Sequence, residues 1–111
     1  MIEISVKTRF INEGTAVCFD QTNHERLQQV KERIASGDMQ ISIKGCWEDG
    51  NLYPDEILYP LSGLFVEGLI DKFGREKFLE FFSDQTYDHA RDVYGNKLDI
   101  FIREFEDKIN A

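Results

Sequence analysis

Glu13 is the first residue of this chain with a choice of chemistry. It stands between Asn12 and Gly14 at the mouth of the run TAVCF. A carboxylate there can ligate a divalent metal, or it can open a helix, where the dipole favours it by a few tenths to about 1 kcal/mol. Gly14 beside it would let another backbone approach closely. The only imidazoles are His24 and His89; they form no HxxxH pair, and neither precedes Glu13. Each reads most simply as a solvated polar residue. Tyr59 precedes Pro60, which favours an extended backbone and a ring turned to a cleft or to the core. Trp47 sits among Gly45, Cys46, Glu48 and Asp49; it could anchor a ligand, or more simply cover the end of a core. Glu48, Asp49 and Asp55 lack the DxDxDG spacing of a calcium loop and read as solvated charge.

Nucleophilic chemistry finds less support. Cys18 has no basic partner nearby in sequence, no serine occupies a GxSxG elbow, and no glycine-rich phosphate loop occurs. Cys18 and Cys46 are too far apart for a CxxC pair, and both read as reduced and structural, a bridge requiring a longer, exported chain.

Composition narrows the partners. The 111 residues carry 21 acidic against 13 basic side chains, a formal charge of −8. That field repels phosphate backbones and anionic lipid, so neither nucleic acid nor a membrane surface is an expected partner. Hydrophobic residues make up 41% and include nine Phe, material for one modest core in a single domain over residues 1–111. There is no apolar stretch of the ~20 residues a bilayer requires and no signal-peptide core. The cytoplasm is the default expectation.

Around the chemistry-bearing residues the pattern is mainly helical, with four to five packed helices. IEISVKT alternates Ile2, Ile4 and Val6 with polar residues, and MQISIKG does the same with Met39, Ile41 and Ile43. Residues 2–7 and 39–44 could therefore form a small two-stranded sheet. A short helix is expected over 13–19 after Asn12 as N-cap, and a second over 24 to about 35, capped by Asn23 and stopped by Gly37. The segment 44–56 is dense in turn formers and reads as the one real loop. Pro60 suits a first helical position, opening a helix that ends at Gly74. Residues 75–82 are apolar on nearly all sides and read as a core helix, and a further turn of chain ends at Gly95. Leu98, Phe101, Ile102, Phe105 and Ile109 stripe a last helix over about 97–110.

Three segments carry a resemblance in the right order. Asn12-Glu13-Gly14 with Ala16 and Phe19 resembles the NEG-x-A segment of gluzincin zinc peptidases. Residues 59–82 resemble a stretch of their helical C-terminal lobe, and residues 94–109 resemble its closing helix. In gluzincins an HExxH helix supplies two zinc-binding His and a general base, and a second helix supplies a Glu as third ligand. The resemblance implies that role for Glu13. For Tyr59 it implies a hydrogen bond to the oxyanion of the tetrahedral intermediate, although Tyr59 and Gly63 are four apart, one more than the Tyr-x-x-Gly spacing of the aminopeptidase branch.

The HExxH segment is absent from the 111 residues. A lone carboxylate does not fix zinc, which takes about three protein ligands. The expectation is a non-catalytic piece or short relative of a gluzincin, supplying the third ligand and one wall of the peptide cleft. It holds no cofactor alone, and zinc only when an HExxH-bearing segment completes it. Its partner would be that missing N-terminal half, a peptide or another protein. The alternative is a stand-alone interaction domain with no metal or enzymatic role.

Overall fold

The computed structural model describes residues 6–18, 26–37 and 40–110. Seven helices lie among them: α1 (Arg9–Cys18), α2 (Arg26–Gly37), α3 (Ile43–Glu48), α4 (Asp55–Phe73), α5 (Arg75–Phe82), α6 (Tyr87–Tyr94) and α7 (Lys97–Asn110). The fold is mainly α, as the periodicity implies, with more helices among the described residues than the expected four or five. All seven close around one apolar core.

The expected sheet is not seen among the described residues. Residues 2–5 and 39 lie outside them, and Ile43 and Lys44 are helical. The reason lies in the side chains that reach the segment's backbone. Asn110 accepts from the Ile41 N–H (2.9 Å) and donates to its carbonyl (3.2 Å), while Glu106 accepts from the Ile43 N–H at 2.8 Å. These peptide groups are satisfied without a ladder. Val6, for its part, makes an isolated parallel bridge to Asp84. The alternation at Ile41 and Ile43 still reports burial, since both are in the core.

Helix α1 begins four residues before the expected start. Thr8 is its cap, with its hydroxyl accepting from the Ile11 N–H and its carbonyl from the Asn12 N–H. Asn12 is therefore interior and Glu13 lies in the second turn, beyond the strongest part of the dipole. Phe19, Asn23 and His24 lie outside the described residues, and Gly37 ends α2 as its last residue.

The supposed loop over 44–56 opens with a helix. Ser42 caps α3 by accepting from the Gly45 N–H, and Ile43, Cys46 and Trp47, at i, i+3 and i+4, are all buried. Six residues do not hold a helix by propensity; tertiary contacts supply the difference.

Pro60 is inside α4. The helix starts at Asp55, with Pro54 at its N-cap and Asp55 and Glu56 in the first turn. Ile57, Leu58, Leu61, Phe65, Val66 and Leu69 are buried along it, so burial on both sides of Pro60 outweighs the lost intrahelical bond. Tyr59 is therefore helical instead of extended. Gly74 (φ 95°) and Gly95 (φ 70°) end α4 and α6 in a backbone region that side chains disfavour. Helix α5 is less enclosed than its composition suggests: Phe78 and Phe81 are buried, but Leu79 is 42% exposed.

Trp47 is in the middle of the core, 2% exposed. Its ring meets Phe10, Phe65, Phe81 and Tyr87 at centroid distances of 5.6–6.1 Å. It joins four helices instead of covering one end of them.

Candidate functional site

The two residues singled out by resemblance lie on helices that pack together. A Cβ built on Gly14 would stand 2.6 Å from the Ser62 carbonyl oxygen, so α1 and α4 meet backbone to backbone there. At the other end of the contact Arg9 donates to Asp55 (2.6 Å), to the Gly50 carbonyl (2.9 Å) and to Asn51 (3.1 Å). Its guanidinium lies 5.9 Å above the centre of the Tyr59 ring. Hydrogen bonds to Asp55 first and to Tyr59 second raise the Arg9 pKa further above its ordinary value. Glu13 is half-buried and Tyr59 is 37% exposed. The arrangement ties Tyr59 and Asp55 to the start of α1.

Among the described residues no three His, Cys, Asp or Glu side chains group as a metal-holding set. Glu13 offers one donor where zinc takes about three from protein. The described side chains alone do not fit zinc.

The other candidates are engaged in structure. The Nε2 of His89 lies 3.3 Å from the Glu80 carbonyl, an acceptor that calls for the proton on that nitrogen. Its ring stacks on Phe81 at 6.5 Å, so His89 is half-buried and not the simply solvated residue its neighbours suggested. The Cys46 thiol donates to the Ile43 carbonyl, and burial pushes its pKa up to about 12, far from a reactive thiolate. Cys18 closes α1, and its side chain is outside the described set. In the acidic segment Asp55 binds Arg9, Asp49 accepts from the Asn51 N–H at 2.9 Å, and Glu48 lies 3.9 Å from Lys44. All three are exposed, as solvated charges are, with Asp55 also paired to Arg9.

A different surface has the form of a binding site. Rings of α7 reach α4: Phe101 lies 5.5 Å from Phe65 and 5.8 Å from Phe73, and Phe105 lies 5.4 Å from Phe65. Aromatic side chains bridge the two helices. Between them is a groove of about 300 Å³ whose floor is Leu64, Gly68, Phe101 and Phe105. A Cβ on Gly68 would come within 2.9 Å of Phe101, so that glycine makes room for the ring. Glu67, Asp71, Lys72, Glu104 and Lys108 form the rim.

The core reading of Phe101 and Phe105 holds, since Phe101 is buried and Phe105 packs against the core, but sequence reasoning missed the groove beside them. A signal was available: Gly68 interrupts an otherwise apolar helix, and a mid-helix glycine commonly marks close approach by another group.

Family models, curated proteins and solved structures were each compared with the chain, and none of them matches it. Among the described residues no helix is long and apolar enough to cross a membrane.

Proposed function

We propose that this chain is a non-catalytic helical binding domain whose α4–α7 groove receives an apolar segment of a peptide or protein. The groove carries the reading: about 300 Å³ of open space over two aromatic rings, with charged side chains at its edge. Such a floor supplies the desolvated contact on which recognition depends, and the rim fixes orientation. The groups able to do chemistry support it from the other side, because Cys46, His89, Asp49 and Asp55 are each bonded within the fold. The test is a fragment screen by NMR on the ¹⁵N-labelled chain. Aromatic fragments should shift amides of residues 64–72 and 101–108, and hits clustered elsewhere would remove the reading.

A second reading rests on the α1–α4 contact. Glu13 and Tyr59 sit on two helices held together at Gly14 and Ser62, as residues of one cleft wall would have to be. On this proposal the chain is the helical wall of a gluzincin-like peptidase, and an HExxH-bearing segment brings the remaining zinc ligands and the base. Zinc titration separates the two. Tight one-to-one binding by the isolated chain, lost in Glu13→Gln, would contradict its non-catalytic character. Binding only after an HExxH-bearing partner is added would favour the wall.

A further inference from the structure

We draw no further inference here: the strongest candidate, the apolar groove between α4 and α7 over Leu64, Gly68, Phe101 and Phe105, belongs to the site already described, and nothing in the structure shows what covers it.

Discussion

The indole N–H of Trp47 donates to the main-chain carbonyl of Gln85 at 2.8 Å, although the two are 38 residues apart and both are buried. Gln85 is used at every other polar atom as well. Its N–H donates to the Val6 carbonyl, its Oε1 accepts from the Thr8 N–H, and its Nε2 donates to the Phe82 carbonyl. This one residue therefore ties the start of the chain, the capping residue of α1 and the ring at the centre of the core to the turn between α5 and α6. Trp47→Phe should cost about 1–3 kcal/mol, chiefly from the stranded Gln85 carbonyl. Trp47→Ala should cost about 3–5 kcal/mol because a cavity is added. Urea denaturation followed by far-ultraviolet circular dichroism checks both, and a Trp47→Phe cost near zero would show that the hydrogen bond contributes nothing.

Gly14 gives the sharpest steric prediction. Alanine there places Cβ 2.6 Å from the Ser62 oxygen and 2.8 Å from its carbon, both backbone atoms that cannot rotate away. The helices must separate, at about 1–3 kcal/mol. Ala at Gly95 meets no atom within 4 Å but is strained by φ of 70°, so its cost should be nearer 1 kcal/mol. Thermal melts of the two variants should rank them in that order.

Helices α5 and α7 were legible to the residue because their ends carry strong local signals, Gly74 and Gly95, and their stripes keep the helical period through Phe78 and Phe81 and from Leu98 to Ile109. The segment 40–48 was not, because what decides it is distant in sequence. Asn110 and Glu106 occupy the peptide groups that a strand would have used. Pro60 misled for the opposite reason: its local preference was clear, but burial along α4 overrode it. At the site, Gly14 signalled a close backbone approach without naming α4 as the partner, and Gly68 was a local sign of a groove whose shape depends on how α4 and α7 are spaced.

Alkali should unfold the protein in a defined window. Cys46 is held up to about 12 by burial, and Tyr87 is also held up to about 12, by burial first and then by its hydrogen bond to Asp99. Tyr94 is raised by burial too, and its buried hydroxyl has no hydrogen-bond partner among the described residues. All three are neutral when protonated, so a raised pKa means that the unfolded chain loses its protons first. Stability is then full below the ordinary thiol and phenol values of 9.0 and 10.0 and declines as pH rises from there toward about 12. Tyr87→Phe should flatten part of that decline, measured as urea midpoint against pH from 8 to 12.

Asn110 provides a test in which protonation exchanges one bond for another. Its amide both accepts from and donates to Ile41, a pairing that holds the segment before α3 against the end of α7. Asn110→Asp keeps the acceptor for the Ile41 N–H, but at neutral pH it sets a carboxylate against the Ile41 carbonyl and adds negative charge near a helix C-terminus. The expected cost at pH 7 is about 1–2 kcal/mol, with faster amide exchange at Ile41. Below about pH 4 the aspartic acid carries a proton again and can donate to that carbonyl, so the difference from the parent should shrink. Asn110→Ala, which can neither donate nor accept, should show a deficit with no such recovery. If the two variants track each other across that range, the Ile41 carbonyl has another donor and the clamp between the segment before α3 and the end of α7 is weaker than its geometry implies.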